Sequence, residues 1–201
     1  ESDEYDAQSW HCLSWHVGSG TAAGCVRIVH VGGDEPCQQL PMEKHCAGSF
    51  SHPELQPALL PRESICEVSR LAVRSGFRRR LRETETPIGD IDGLAFLPDR
   101  FRSFPVISVS LFMAATVLVF LRDKPNVFAM MEPRLARLLG QLGLRFVQVG
   151  EVIDYHGPRA AYYINLADAL RGIQASDMLL PLYERANKAI RADGSHGELA
   201  R

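Results

Sequence analysis

The run from Pro105 to Leu121 is apolar on every side, with large residues such as Val106, Leu111, Phe112, Met113 and Phe120 leaving no polar stripe. A helix without a wet face must be enclosed by other elements, so this run predicts a helix buried against a sheet. Membrane spanning is the competing reading. A span takes about 20 predominantly apolar residues, whereas this run is shorter, starts after a proline and carries Ser108, Ser110 and Thr116. No transmembrane segment is expected.

The neighbouring segments supply the sheet. Ser9 to Val17 and Ala22 to Val31 are rich in Trp, Val, Ile and His and flank Gly18-Ser19-Gly20, which predicts an antiparallel hairpin. From Gly32 to Pro61 the chain is loop-rich, with a short helix expected near His52 to Leu59. Ile65 to Val73 reads as a strand whose alternation places Glu67 and Ser69 on one face and Val68 and Arg70 on the other. Polar residues on both faces are unusual for a central strand.

Beyond the buried helix, Asn126 to Met131 reads as a strand, Pro133 to Leu142 as an amphipathic helix begun by proline, and Arg145 to Val152 and Arg159 to Ile164 as further strands. A helical tail is expected from Leu166 to about Arg191. This order implies an α/β (α+β) chain in which a mixed central sheet has helices on both faces. The expected division is one domain over residues 1–175 and a C-terminal helical tail over 176–201.

With 201 residues, 46% of them hydrophobic, the chain can build a full core. A formal net charge of -2 gives no reason to expect nucleic acid as a partner. The five cysteines are odd in number and irregularly spaced, which argues against a secreted disulfide framework and for a reducing cytoplasm. Cys37, His45, Cys46 and His52 have poor chelating spacing, so no metal site is expected. The chain opens at Glu1 on a charged segment that reads like the middle of a domain, so an N-terminal portion is expected to precede it.

Three segments carry a family resemblance. Glu1-Ser2-Asp3-Glu4-Tyr5-Asp6 resembles an acidic segment E-x-D-x-x-D, Gly24-Cys25-Val26-Arg27 a G-x-x-R strand, and Glu67-Val68-Ser69-Arg70 an E-x-S-R strand. In this order they resemble the autoinducer synthases, which make acyl-homoserine lactones, and the related N-acyl amino acid synthases. Leu40-Pro41-Met42-Glu43-Lys44-His45-Cys46, Met131-Glu132-Pro133-Arg134-Leu135 and Tyr155-His156-Gly157-Pro158-Arg159-Ala160 are similar to the acyltransferase branch associated with PEP-CTERM and exosortase systems. The aromatic and basic residues that autoinducer synthases carry upstream of the acidic segment are not matched here.

The resemblance implies a GNAT-like acyl-CoA N-acyltransferase fold. It implies transfer of a fatty acyl group from acyl carrier protein, or from acyl-CoA, to the amine of an amino acid or related small molecule. No bound cofactor is implied. Two alternatives stay open: a lactone synthase using S-adenosylmethionine, and a non-catalytic module that binds an acyl chain or carrier protein.

Acyl transfer to an amine needs a neutral nucleophile, an acceptor for its proton and donors for the developing oxyanion. Glu67 is the candidate proton acceptor, because a carboxylate on a central strand is desolvated and its pKa rises. The plainer alternative is a buried ion-pair partner for Arg70 or Arg27. Ser69 is the second catalytic candidate, placed to hydrogen-bond the substrate carboxyl or thioester, or it is merely tolerated in the strand. Arg27 and Arg70 are expected to pair with Glu1, Asp3 and Asp6 in a cluster that shapes the amine pocket, against the alternative of a solvated acidic terminus.

Arg74-Ser75-Gly76-Phe77-Arg78-Arg79-Arg80 follows the strand directly. Arg74, Gly76, Arg78, Arg79 and Arg80 are the candidates for holding the donor's phosphate and for receiving an acidic carrier protein, unless they form a solvated basic loop. The buried helix and the strand with Phe128, Met130 and Met131 are plain core or the lining of an acyl tunnel. Tyr155-His156 reads as a turn, with a second acid or base as the alternative.

Overall fold

The structure is a computed structural model that describes residues 2–77, 106–155 and 157–194. Strands β1 (Ser9–His16) and β2 (Thr21–His30) form the expected hairpin, in register from Ser9↔Val29 to His16↔Thr21. Gly20 takes φ +61° in its turn, a conformation that glycine adopts without strain. Strand β3 (Ile65–Val73) pairs antiparallel with β2. Strand β4 (Asn126–Met131) lies parallel to β3, and a parallel pair needs a crossover. Helix α2 (Val106–Leu121) lies within that crossover.

Strand β7 (Pro158–Asn165) runs antiparallel to β4 and carries the two-residue strands β5 (Val147–Gln148) and β6 (Ile153–Asp154). The sheet order is β1-β2-β3-β4-β7-β5. The single strand expected over 145–152 is broken because, although the Val149 N–H still bonds Ala161 of β7, the Val149 carbonyl accepts the Ser51 and His52 N–H groups and Gly150 bridges Phe50.

Strand alternation sorts the side chains into two cores. Val26, Ile28, Cys66, Val68, Val127, Ala129, Ala160, Tyr162 and Ile164 face one side, where α2, α3 (Pro133–Leu142), α4 (Leu166–Gln174) and α5 (Leu179–Gly194) pack. Val29, Val31, Ile65, Phe128, Ala161 and Tyr163 face the other, where Tyr5, Leu40, Met42 and Val149 close over them. Helices therefore flank both faces unequally, since this second face has the short α1 (Pro41–Cys46) and 3-10 turns. Helix α2 is enclosed as its composition requires, packing across β1, β2 and β3 with α5 alongside it. No helix among the described residues is long and apolar enough to cross a membrane.

Two local expectations are corrected. The helix expected near His52 to Leu59 is only a 3-10 turn, Pro57–Leu59; the α-helix of this loop lies earlier, at α1. The expected tail is two helices. Asn165 caps α4 by accepting the Ala167 N–H at 2.9 Å, and the chain leaves helical geometry between Gln174 and Leu179. Met178, Leu179 and Leu182 of segment 176–201 belong to the same core as α2.

Candidate active site

The pairing of β3 with β4 runs through Ile65↔Asn126, Cys66↔Val127 and Glu67↔Phe128 and stops there, although β3 continues to Val73 and β4 to Met131. The two strands therefore part just beyond Glu67. The backbone edges of 68–73 and 129–131 line the resulting gap.

Glu67 is 3% exposed, and its Oε2 accepts the Met42 backbone N–H at 2.8 Å. Burial pushes its carboxyl up from 4.5 to about 7, against the pull of the Met42 N–H and the Arg27 charge. Neither Arg27 nor Arg70 forms an ion pair with it; Arg27 is held by Asp3 and Asp6, and Arg70 reaches the same two carboxylates. The Met42 N–H is aimed by α1. Pro41 opens that helix, Glu43 turns back to accept the Leu40 N–H at 2.8 Å, and Arg62 grips both Glu43 oxygens at 2.7 and 2.8 Å. Pro at the first helical position with Glu two residues on is the readable signal for this helix, inside a segment whose composition otherwise reads as loop.

The cluster of charges forms as its residue types suggest. Arg27, 3% exposed, donates from Nη1 to Asp3 at 2.6 Å and Asp6 at 2.7 Å, and from Nε to Ser69 Oγ at 3.1 Å. Ser69 thus spends an acceptor site on Arg27 while its hydroxyl proton remains to be donated. The Arg27 hydrogen bond and the Asp3 N–H hold the Asp6 carboxyl well below the usual carboxylate range. Burial pulls the Asp3 carboxyl upward, but Arg27, the Tyr5 N–H and Arg70 together keep it below its ordinary value.

Arg70 departs from the expected alternation. Its φ of +49° bulges β3, and its side chain reaches Asp3 at 2.8 Å on the Glu67 face, not the Val68 face. Gly24 fits this irregular stretch: a Cβ there would lie 2.7 Å from the Ala72 carbonyl oxygen and 3.0 Å from Leu111. Glu1 of the predicted cluster lies outside the described residues.

Tyr155, expected foremost as a turn residue with a role as acid or base the alternative, is a neighbour of this site. It sits in the β6–β7 turn, where its N–H bonds Gly157 and its ring stacks on His45 with centroids 6.2 Å apart. Burial raises its hydroxyl pKa, and the charges of Glu67, Arg159 and Arg27 all reach it. Its stacking on His45 was not readable from the sequence, because the turn and α1 meet only in three dimensions.

On the opposite face, an apolar cavity of about 30 Å³ lies behind the gap, lined by Val68, Phe112, Ala115, Thr116, Val119, Val127, Ala129 and Ile164 among others. Helix α2 and β4 line it, but at this size it is a packing cavity within the core and not an open tunnel. Phe128 and Met130 do not line it: they point to the Glu67 face.

Of the donor loop, Arg74 N–H bonds the Ala23 carbonyl at 2.9 Å, and Gly76 lies in the 3-10 turn Ser75–Phe77 with open space where a Cβ would stand. Nothing in the packing of the described residues demands glycine there. Arg78, Arg79, Arg80 and His156 lie outside the described residues. Among the described residues, no group of three or more His, Cys, Asp and Glu is gathered as metal ligands would be.

The family described as an acetyltransferase (GNAT) domain matches residues 1–84. No curated protein matches the chain in sequence. Among solved structures, the acyl-homoserine lactone synthase LasI aligns with TM-score 0.58 at 19% identity, over 87% of this chain and 74% of that one. FeeM, an N-acyl amino acid synthase from uncultured soil microbes, aligns with TM-score 0.51 at 17% identity, over 80% and 74%. BjaI, a CoA-dependent acyl-homoserine lactone synthase solved with SAM and isopentyl-CoA, aligns with TM-score 0.51 at 17% identity, over 92% and 68%. At these identities the likeness speaks for architecture, and that architecture is the GNAT fold.

Proposed function

We propose that this chain is an N-acyltransferase that moves a fatty acyl group from a carrier-protein or CoA thioester to the amine of an amino acid or related small molecule. The observation that carries the reading is the position of Glu67: buried, at the point where β3 and β4 part, with a pKa of about 7. A carboxylate poised there takes the proton from the substrate ammonium near neutral pH, directly or through a water, and leaves the neutral amine to attack the thioester. In this reading the amine lies on the Glu67 face, the thioester enters the gap, and the apolar cavity behind it, about 30 Å³ as it stands, widens between α2 and β4 to take the acyl tail. Backbone N–H groups along the parted strands are suited to the developing oxyanion. Arg27, Asp3 and Asp6 shape the amine pocket without taking part in proton transfer, and Ser69 holds Arg27 while offering its proton to the substrate.

The donor's phosphate and an acidic carrier protein are assigned to Arg74 and the arginines that follow it, in a cytoplasmic protein of the PEP-CTERM-associated branch. The test is to incubate the purified protein with long-chain acyl-CoA or acyl carrier protein and mixed amino acids, and to follow thiol release and acylated amines by mass spectrometry. Acylated product that disappears with Glu67→Gln supports the reading. Tight acyl-chain binding with no product from any amine would instead mark a non-catalytic module.

A lactone synthase is the second reading, favoured by the alignment with LasI. Release of a lactone and methylthioadenosine from S-adenosylmethionine would replace the first reading with it.

A further inference from the structure

Arg159 differs from the other arginines of the Glu67 face. Arg27, Arg62 and Arg70 each have a carboxylate partner. The Arg159 side chain forms no ion pair or hydrogen bond among the described residues, and its Nε is shielded from solvent without a partner there. Leaving a shielded donor unpaired is costly, so such a group calls for a partner that the described residues do not provide.

Its position says what kind. Along β7, Ala161 and Tyr163 point to the Glu67 face, and Arg159 shares their side by alternation. It stands one residue beyond the Met131↔Ala160 pair, at the open end of the gap, beside Ile153 of β6. Tyr155 lies between: its hydroxyl lies within reach of the charges of both Glu67 and Arg159. A proton acceptor and an unpaired guanidinium thus flank one space on the face opposite the apolar cavity. A guanidinium presents a planar fork that fits a carboxylate with two parallel hydrogen bonds.

We propose that Arg159 holds the carboxylate of the acceptor while Glu67 receives its amine, which makes the acceptor an amino acid and not a simple amine. This rests on the acyltransferase reading above and adds the acceptor's class to it.

The experiment compares L-leucine with isopentylamine and L-phenylalanine with phenethylamine, using long-chain acyl-CoA and the wild-type, Arg159→Met and Arg159→Lys proteins, each first checked for a cooperative melt. Wild type is expected to prefer at least one amino acid over its decarboxylated partner. Arg159→Met should lower kcat/KM for the amino acid roughly 10- to 100-fold, mostly through the acceptor KM, the range of one lost charged hydrogen-bonding partner. The amine reaction and the donor KM should stay unchanged, and Arg159→Lys should recover part of the loss.

Equal loss on amino acid and amine, or a rise confined to the donor KM, would overturn the proposal; the latter would assign Arg159 to the donor's phosphate. If wild type acylates none of the four probes, the acyltransferase reading fails on its own. Arg159 is then judged by binding: L-leucine or L-phenylalanine must raise the melting temperature of wild type but not of Arg159→Met, and no shift in either sinks the proposal.

Discussion

Raising the Glu67 carboxyl from 4.5 to about 7 has opposite consequences for stability and for turnover. Between those two values the folded protein holds a proton that the unfolded chain has released, so stability falls as pH rises through this window. The full effect above it is about 3 kcal/mol. Glu67→Gln keeps an acceptor for the Met42 N–H and removes the charge. Its melting temperature should therefore exceed that of wild type at pH 8 by clearly more than at pH 5, measured by calorimetry. The same charge is the reactive form: kcat/KM should climb about tenfold per pH unit below an inflection near 7 and level off above it, and Glu67→Gln should lose about 10²- to 10⁴-fold. A second contrast separates the two arginines of the cluster. Arg27 is buried and binds Asp3, Asp6 and Ser69, so replacing it with Met, which leaves Arg70 as the cation beside the two carboxylates, should clearly lower the midpoint of urea denaturation. Arg70, with its side chain 32% exposed, should cost about 1 kcal/mol or less.

Between residue and fold, the elements differ in how plainly their sequences announce them. Strands β1 to β4 and helices α2 and α3 were legible because runs of β-branched residues or helical spacing extend over a full element. Helix α1 was not: its span Pro41–Cys46 is too short for any period to register, and its stability comes from Glu43 and Arg62. The bulge at Arg70 was equally hidden, because a positive φ at a non-glycine residue is imposed by partners from elsewhere, here Asp3 and Asp6. Gly24 answers to the same stretch. Gly24→Ala should press on the Ala72 carbonyl and Leu111 and destabilise the protein by about 1–3 kcal/mol, read as a lower melting temperature. Between α3 and α4, Gly143 at φ +116° meets Gly172 so closely that a Cβ would lie 2.7 Å from the Gly172 carbonyl oxygen, a contact that neither segment's own pattern reveals.

At the scale of the whole molecule, the sheet is a partition, with a polar face around Glu67 and an apolar cavity behind the parted strands. If the acyl tail occupies that cavity, filling it should change chain-length preference. Ala129→Leu should reduce turnover of long-chain acyl-CoA at least tenfold while leaving butyryl-CoA within about threefold, measured across an acyl-CoA series. Composition and periodicity alone determined that a wholly apolar helix must be enclosed, that the sheet is mixed, and that Glu67 and Ser69 share a face, because those follow from local geometry. Whether Glu67 would be paired with an arginine, that Met42 would donate to it, that Arg70 would turn toward Asp3, and that the Arg159 side chain would stand without a partner among the described residues were decided by the tertiary structure. Each depends on segments far apart in the chain meeting at one place, and only that meeting sets burial, partners and charge.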